Sequence, residues 1–308
     1  MTSTASDTGL DVVTGAFSYS GRAIAKALLA NGRSVRTVTG HPGRGAAQSE
    51  IEVRPLDFDD PVGLVESLRG ATTLYNTYWV RFARDHVNHE LAVANSRALF
   101  FAAKRAGVQR IVHISITNPN AGSPFPYFRG KALVERALAE SEVSYAVLRP
   151  AILFGGNGVL LNNIAWLLRR LPIFAIGGDG NYRIRGIHVD DLAQLCVEVG
   201  SKSGNSVTNA VGPERPTFNE LVASIRDAVG ARSRIVHVPG ISVPAFSSML
   251  GLLLHDVLLT RDEYQAMASG LADSDGPATG STRVSTWISE CGTDLGLHYA
   301  NELTRHFG

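Results

Sequence analysis

Short apolar segments alternate with longer segments of helical periodicity over the first two hundred residues of this 308-residue chain. The pattern predicts strands at residues 10–14, 34–39, 51–54, 72–77, 110–115 and 145–149. It predicts helices between them at residues 21–30, 61–68, 86–106 and 127–140. Strands that alternate with helices form βαβ units, which need a parallel sheet with helices on both faces. We therefore predict an α/β protein with a doubly wound parallel sheet.

The alternation weakens after residue 150, where we predict helices at residues 162–170, 190–199, 219–229, 244–259, 260–268 and 294–306 and a strand at 182–188. We assign residues 1–155 and 181–210 to a dinucleotide-binding domain built on the sheet. Residues 156–180 and 211–308 are assigned to a smaller, mostly helical region that binds substrate. Ligands of open α/β sheets bind at the carboxyl ends of the strands, and we expect this region to act as a lid there.

Composition excludes several classes of protein. With 29 basic and 28 acidic residues the net charge is +1, so the chain lacks the basic face that nucleic acids require. The longest apolar run, residues 243–259, contains two serines and a His-Asp pair and is too short and polar to span a bilayer. The two cysteines and nine histidines show no metal-ligand spacing, so no metal site is expected. We expect a cytoplasmic monomer or homodimer that acts on a small molecule.

A glycine-containing turn, TGAFSYSGR at residues 14–22, joins the first strand to the first helix. Gly15 suits a tight turn and Gly21 close packing of helix on strand, while Ser18 occupies the position of a middle glycine. Such a turn presents the helix N-terminus to a pyrophosphate, so the pattern predicts a dinucleotide site. The alternative is a structural turn without a ligand. The residues expected to contact the cofactor at this turn are Gly15, Phe17, Ser18, Tyr19 and Gly21.

The end of the second strand bears on which dinucleotide is bound. An acidic residue there would bind the ribose 2′-hydroxyl of NAD, but the sequence VTGHPGR at residues 38–44 has no carboxylate. His41 and Arg44 are placed to face a 2′-phosphate, so NADP(H) is favoured over NAD(H), unless Arg44 is simply solvated. Asp57 and Phe58 follow the third strand and are placed to contact the adenine, although Asp57 is equally placed to cap the helix at 61–68.

Tyr127 and Lys131 lie one helical turn apart on one face of a predicted helix. A nearby cation favours the phenolate, so Tyr127 is a candidate acid/base and Lys131 its activator and a ligand of the cofactor ribose. The chain has eight tyrosines but four lysines, which makes a chance Tyr-x-x-x-Lys pair improbable; the alternative is a surface lysine. Ser115 and Thr117, on one face of the preceding strand, are candidate hydroxyls for stabilising charge on a substrate oxygen.

These motifs occur in one order, together with Leu-Arg-Pro at residues 148–150 and Ile-His-Val-Asp-Asp at 187–191. The set resembles the extended and atypical short-chain dehydrogenases/reductases, in particular NmrA-like and epimerase-like proteins and the nucleotide-binding accessory subunit of respiratory complex I. The resemblance implies a Rossmann fold, a tightly held NAD(P)(H), and either redox chemistry or a non-catalytic, cofactor-sensing role. Two positions depart from the family pattern, namely Ser18 and Ile116, which stands where the family has its catalytic Ser/Thr.

The resemblance places further residues near the cofactor and substrate. Asn76 and Thr77, after the fourth strand, and Pro150 and Ile152, after the sixth, are expected to contact the cofactor. The substrate candidates are Tyr78, Trp79, Asn163 and Trp166, although Tyr78 and Trp79 are equally compatible with a core position. Apolar residues available to line a substrate pocket are Leu161, Trp166, Leu171, Phe174, Phe246 and Leu250.

The sequence therefore predicts an NADP(H)-dependent oxidoreductase that acts on a small or medium apolar carbonyl or alcohol. An NAD(P)-dependent epimerase or isomerase of the sugar-nucleotide type is the enzymatic alternative. A non-catalytic NAD(P)H-binding redox sensor or accessory protein is the alternative from another class. The Tyr-Lys pair favours an enzyme, whereas Ile116 favours the sensor.

Overall fold

The computed structural model describes residues 9–43, 50–81, 83, 86–243, 247–248, 251 and 254–301. The chain divides into two compact units. Unit 1 comprises Met1–Pro150 and Asp190–Ala210, and unit 2 comprises Ala151–Val189 and Val211–Gly308. The divisions thus fall after residues 150, 189 and 210, whereas the sequence suggested 155, 180 and 210.

The helices and strands follow one another along the chain in an order that alternates through unit 1. They are β1 (Leu10–Thr14), α1 (Tyr19–Ala30), β2 (Ser34–Thr39), β3 (Glu52–Pro55), α2 (Pro61–Leu68), β4 (Ala71–Asn76), α3 (His89–Ala106), β5 (Arg110–Ile114), α4 (Pro126–Glu140), β6 (Ser144–Pro150), β7 (Ile152–Phe154), α5 (Val159–Arg170), β8 (Ile173–Gly177), β9 (Gly186–His188), α6 (Val189–Gly200), β10 (Ser206–Ala210), α7 (Phe218–Ala228), β11 (Arg234–Val238), α8 (Arg261–Ala268) and α9 (Val284–Cys291).

Unit 1 is built on a seven-stranded parallel sheet with the order β10-β6-β5-β4-β1-β2-β3. Its central strands are apolar on both faces, and Val12, Leu74 and Ile111 are fully buried, as expected when helices cover both sides. The strand order reverses between β1 and β4, which creates a crevice at their carboxyl ends where ligands of such sheets bind. The predicted Rossmann-type doubly wound sheet is confirmed.

Unit 2 has no large sheet among its described residues; β8 pairs with β11, and β7 pairs with β9. Its core is an apolar cluster shared by α5, α7 and α9. The strand predicted at 182–188 is shorter in the structure, where β9 covers Gly186–His188. The predicted helix at 244–259 lies partly outside the described residues, and residues 257–259 are not helical.

The helix predicted from residue 294 is wrong for the described residues 294–301, which form turns and irregular chain. Gly296 adopts a φ of +75°, which ends helical geometry. A Cβ at Gly296 would lie 2.4 Å from the backbone nitrogen of Trp166 and 2.5 Å from the carbonyl carbon of Ala165. The segment therefore packs closely against α5 instead of continuing α9.

No helix of the described residues is long and apolar enough to cross a membrane.

Candidate functional site

The glycine turn after β1 is built for close backbone packing. Gly15 has a φ of +63°, and a Cβ on Gly21 would lie 2.2 Å from the Gly15 carbonyl oxygen. The Ser18 N–H donates to that carbonyl at 2.8 Å, and Ser18 precedes α1 without making a side-chain cap hydrogen bond. The turn therefore requires glycine at both positions, as the sequence predicts, and brings α1 to begin at Tyr19 beside the end of β1.

A second set of bonds ties this turn to the end of β4. The Thr14 hydroxyl oxygen accepts the N–H groups of Thr77 at 2.7 Å and Tyr78 at 3.1 Å. The Thr77 hydroxyl donates to the Thr14 carbonyl at 2.6 Å. The loops after β1 and β4 are thus held together at the point where the strand order reverses. Asn76 and Thr77, expected near the cofactor, lie at this point.

Asn76 links the turn to a buried histidine on β5. Its Oδ1 accepts the Tyr78 N–H at 3.0 Å, so its Nδ2 is the group that lies 3.0 Å from His113 Nδ1. Nδ1 must then be the acceptor, which makes His113 the neutral tautomer with hydrogen on Nε2. Burial, and next the charge of Lys131, hold the pKa of His113 well below its usual value. Sequence patterns gave no sign of this histidine.

Lys131 is almost completely buried, with 3% exposure, on the face of α4 that packs on the sheet. Its Nζ donates to the Ile114 carbonyl at 2.8 Å and lies 4.6 Å from the ring centre of Trp79. Burial lowers the pKa of Lys131 to about 7, and the charge of Glu135 opposes this shift. Lys131 is therefore a buried amine that changes charge near neutral pH, and the surface-lysine alternative is wrong.

Tyr127 is half-buried in the first turn of α4, one turn before Lys131. Its ring packs edge-on against Trp79 at 5.7 Å and against His89 at 5.8 Å. Trp79 in turn contacts Lys131. Tyr127 and Lys131 thus contact the same indole, and the amine of Lys131 lies beside the end of β5.

Ser115 and Thr117, the two candidate hydroxyls, have different surroundings. The Ser115 hydroxyl donates to Glu135 at 2.5 Å, and Arg149 binds the same carboxylate at 2.9 and 2.5 Å. The Ser115 hydroxyl therefore donates to the carboxylate of the Arg149–Glu135 ion pair, in which Glu135 is largely buried. Thr117 is fully buried, and its N–H donates to the Pro150 carbonyl at 3.0 Å.

The residues expected around the adenosine half of the cofactor are only partly described. Arg44 lies outside the described residues. His41 is exposed, and its N–H donates to the Thr39 hydroxyl at 3.1 Å. Arg22, close to the glycine turn, donates to the Phe17 carbonyl at 2.9 Å.

The role of Asp57 as a helix cap is wrong, because the N-cap of α2 is Asp60, whose carboxylate accepts the Gly63 N–H at 2.9 Å. Asp57 instead accepts the Asp59 N–H at 2.9 Å in the turn before α2. Phe58 is half-buried, and its ring lies 5.1 Å from that of Tyr78.

The two aromatic substrate candidates of unit 1 pack inside that unit. The Tyr78 hydroxyl accepts the Asn95 amide at 2.9 Å. Trp79 packs over Gly130, where an added Cβ would lie 2.8 Å from the indole. The sequence offered a signal for this fit, because a glycine inside a helix commonly marks close packing.

The substrate candidates of unit 2 have contacts within their own unit. The Asn163 side chain donates from Nδ2 to the Ala300 carbonyl at 2.9 Å, and its Oδ1 accepts the Ala300 N–H at 3.0 Å. Trp166 packs on Tyr299 at 5.1 Å and beneath Arg170 at 4.5 Å. Ile152 is half-buried in β7.

The expected pocket-lining residues divide into three groups. Leu161 and Phe174 are buried in the core of unit 2, so for them the pocket-lining role is wrong. Leu171 is 37% exposed. Phe246 and Leu250 lie outside the described residues. Across the part of the chain that the structure describes, no three His, Cys, Asp or Glu residues are grouped to hold a metal ion.

Comparison with known proteins connects this geometry to cofactor binding. A family model described as NAD(P)H-binding matches residues 15–165, which include the glycine turn, Tyr127 and Lys131. Subunit 9 of the NADH dehydrogenase (ubiquinone) 1 alpha subcomplex of Arabidopsis thaliana is 24% identical over 74% of this chain and 60% of its own length. The chain thus spans about 60% of the length of the first curated relatives it matches.

A second relative is matched over nearly its whole length. The ceramide reductase of Caulobacter vibrioides is 25% identical over 92% of this chain and 96% of its own. Among solved structures, the NADPH-dependent quinone oxidoreductase of Escherichia coli, determined with NADPH, superposes with a TM-score of 0.75 at 22% identity. The superposition covers 91% of this chain and 99% of that one, and it shows a shared fold. Sugar-nucleotide epimerases have the same fold.

Proposed function

We propose that this protein is an NADP(H)-dependent oxidoreductase of the short-chain dehydrogenase/reductase type, because residues 15–165 match a family model described as NAD(P)H-binding and unit 1 is built on a Rossmann-like sheet. Unit 1 would hold the cofactor at the glycine turn. The observation that carries the proposal is that the buried amine of Lys131 and the ring of Tyr127 both contact the Trp79 indole.

The glycine turn supports a bound dinucleotide. Side chains are excluded at Gly15 by its positive φ and at Gly21 by the Gly15 carbonyl. Backbone N–H groups at the start of α1 can therefore approach a pyrophosphate, and the helix dipole favours the negative charge. When bound, the nicotinamide supplies or accepts a hydride. Lys131 would hold the nicotinamide ribose, with Asn76, Thr77 and Pro150 close to the same part of the cofactor.

Tyr127 transfers the proton that accompanies the hydride. Reduction of a carbonyl places negative charge on its oxygen, which a phenol within hydrogen-bond reach neutralises by donating a proton. Lys131 in its charged form stabilises the phenolate that remains. Thr117 and Ser115 are the two candidate hydroxyls for the substrate oxygen, and the Ser115 hydroxyl donates to Glu135. A hydroxyl next to Ile116 would then take the place of the catalytic Ser/Thr that the family has at that position.

A small or medium apolar carbonyl or alcohol is the proposed substrate class. The ceramide reductase matches nearly the whole chain, which supports a reductase with an apolar substrate. The fold shared with a quinone oxidoreductase is compatible with carbonyl reduction. Sugar-nucleotide epimerases share the fold as well, so an epimerase or isomerase is the enzymatic alternative.

NADPH is proposed to bind more tightly than NADH. The end of β2 has no carboxylate for a 2′-hydroxyl, and His41 and Arg44 follow it. One charge-assisted contact to a 2′-phosphate contributes roughly 1.5–3 kcal/mol, which is about tenfold or more in affinity. Titration by nicotinamide fluorescence measures the ratio, and equal or tighter binding of NADH would overturn the preference. Arg44→Ala should weaken NADPH binding selectively.

The catalytic assignment is tested with Tyr127→Phe, after aldehydes, ketones and alcohols have been screened by nicotinamide absorbance. The variant should keep cofactor binding and lose about 10²-fold or more in turnover, the usual contribution of general acid–base catalysis. Tyr145→Phe, which removes a half-buried phenol at the start of β6, serves as the matched control. Wild-type turnover by Tyr127→Phe would refute the assignment.

A non-catalytic cofactor-binding protein is the second candidate function. Ile116 and the likeness to a subunit of the NADH dehydrogenase alpha subcomplex favour it. This candidate predicts tight NAD(P)H binding with no turnover in a broad substrate screen. The oxidoreductase proposal predicts that Thr117→Val slows turnover of an accepted substrate by raising the activation free energy by roughly 3–4 kcal/mol, the contribution of one oxyanion donor.

A further inference from the structure

Lys131 is almost completely buried, with 3% exposure. Its ammonium group donates to the Ile114 carbonyl below it, and the Trp79 indole lies over it at 4.6 Å. The three other lysines, Lys26, Lys104 and Lys202, are exposed. Lys131 thus differs from the remaining lysines of the chain in its access to water.

The cover is a specific fit between an indole and a helix. Gly130 has no side chain beside Lys131, and a Cβ there would lie 2.8 Å from the ring of Trp79. The indole also packs against the rings of Tyr127 and His89, at 5.7 and 5.8 Å. Glycine at position 130 therefore allows the ring to lie close against α4, where it covers one side of the amine.

An aromatic ring over an ammonium group has two opposed effects. The ring face attracts the cation, which favours the charged form. The same ring excludes water, which disfavours the charged form because a buried charge loses its hydration. Burial is the larger effect at Lys131, and its pKa falls to about 7.

The neighbouring titratable groups do not reverse this balance. His113 on β5 is the neutral tautomer and approaches from the sheet. Glu135, one turn along α4, favours the charged amine, but Arg149 already pairs with its carboxylate. Tyr127 on α4 and His89 at the start of α3 face the indole that covers the amine. The ring of Trp79 is therefore a cover whose removal should change the charge of Lys131.

We propose that Trp79 is a positioning residue that sets the protonation of Lys131 by shielding its amine from water. This role differs from that of a substrate-pocket wall, since Trp79 acts through Lys131. The consequence for catalysis rests on the proposed oxidoreductase function. With the shield in place, Lys131 loses its charge as pH rises through neutrality, so support for the Tyr127 phenolate declines in the same range.

The direct test is competitive labelling of the cofactor-free protein with trace acetic anhydride across a pH series, with each lysine quantified by mass spectrometry. Lys131 should reach half of its limiting reactivity near its pKa of about 7. Trp79→Leu should admit water and raise that midpoint by about one pH unit or more. Trp79→Phe should give a smaller rise. Lys26, Lys104 and Lys202 are internal references whose midpoints should not move.

Trp166→Phe, which alters a tryptophan of unit 2, is the matched control and should leave the Lys131 midpoint unchanged. Circular dichroism establishes that each variant is folded, and Trp79→Phe decides the question if Trp79→Leu does not fold. An unchanged Lys131 midpoint in a folded Trp79 variant would overturn the proposal. Labelling requires neither cofactor nor substrate, so its outcome is independent of the oxidoreductase function.

If turnover is found, the pH profile provides a second readout. The break in the profile that reports Lys131 should move to higher pH in Trp79→Leu in parallel with the labelling midpoint. A shifted labelling midpoint with an unshifted profile would confirm the shield and contradict the catalytic role of Lys131.

Discussion

Unit 1 and unit 2 are stabilised in different ways. In unit 1, backbone hydrogen bonds join seven parallel strands into one sheet, and buried apolar residues on both faces hold the helices against it. In unit 2, arginine side chains bind backbone carbonyls of segments outside helices and strands. Arg169 binds those of residues 292, 293 and 295, and Arg185 binds those of Gly212, Ser274 and Gly276.

This difference has a consequence for tolerance to substitution. A strand in the centre of a sheet keeps most of its bonds when one side chain is lost, because the ladders involve backbone groups. A segment held by one guanidinium loses several charge-assisted bonds at once and leaves carbonyl groups without partners. Single substitutions should therefore affect unit 2 more severely than unit 1 at equal burial.

The largest expected effect compares two arginines that are both 5% exposed. Arg185→Met should lower the free energy of unfolding by about 3 kcal/mol, since three carbonyls lose a charged donor. Arg110→Met also removes three bonds but should cost about 1–2 kcal/mol, because β5 keeps its ladders to β4 and β6. Urea unfolding measures both, and an equal or larger loss for Arg110→Met would contradict the comparison.

An intermediate effect is expected within unit 1, at the ion pair of α4 and β6. Glu135→Gln keeps the shape but leaves Arg149 without its carboxylate. The loss should be about 2 kcal/mol, below the range for fully buried pairs because Arg149 is 30% exposed. Glu140→Gln, at an exposed position of the same helix, is the control and should change stability little. Indistinguishable unfolding midpoints for the two variants would show that the pair is not structural.

The smallest expected effect has the opposite sign. Folding lowers the pKa of Lys131 from 10.5 to about 7, so the unfolded chain binds more protons between these values and stability rises with pH. Lys131→Met removes this penalty but also removes the bond to the Ile114 carbonyl, so the net gain over wild type should be about 1–2 kcal/mol at pH 7. Chemical denaturation should show the gap closing towards pH 10.

Lys104→Met is the control for that series, because Lys104 is exposed and paired with Glu142 on the surface. It should show no such dependence on pH. A gap for Lys131→Met that stays constant from pH 7 to pH 10 would mean that Lys131 keeps its ordinary proton affinity in the folded protein.

The same contrast explains how much of the fold was predictable. The strand at residues 10–14, the strand at 34–39 and the helix at 61–68 were predicted at their observed bounds, because each is a short, periodic apolar segment between turns. In unit 2 the sequence missed β8 and β11, whose paired residues, such as Ile173 and Arg234, lie 61 positions apart. It missed the Gly296 turn as well, since a positive φ is imposed by packing on α5.

The candidate site was predictable where chemistry depends on local spacing. Gly15, Gly21 and the Tyr127–Lys131 pair follow from spacing along a turn or a helix. Two contacts join separate elements, namely that of Asn76 with His113 and that of Trp79 with Lys131. No spacing of residues along the sequence predicts either of them. The hydrogen bond from Ser115 to Glu135 could not be predicted either, since it depends on how α4 packs beside the end of β5.

The central claim is that the glycine turn of unit 1 binds NADP(H), and the most direct measurement is a nicotinamide fluorescence titration of wild type, Gly21→Ala and Gly122→Ala. In Gly21→Ala the new Cβ meets the Gly15 carbonyl at 2.2 Å, whereas in Gly122→Ala the nearest contact is 3.4 Å. Wild type and Gly122→Ala should bind NADPH with saturation, and folded Gly21→Ala should bind at least about tenfold more weakly, a loss of about 1.4 kcal/mol or more. Absence of binding by wild type, or undiminished binding by Gly21→Ala, would contradict the claim.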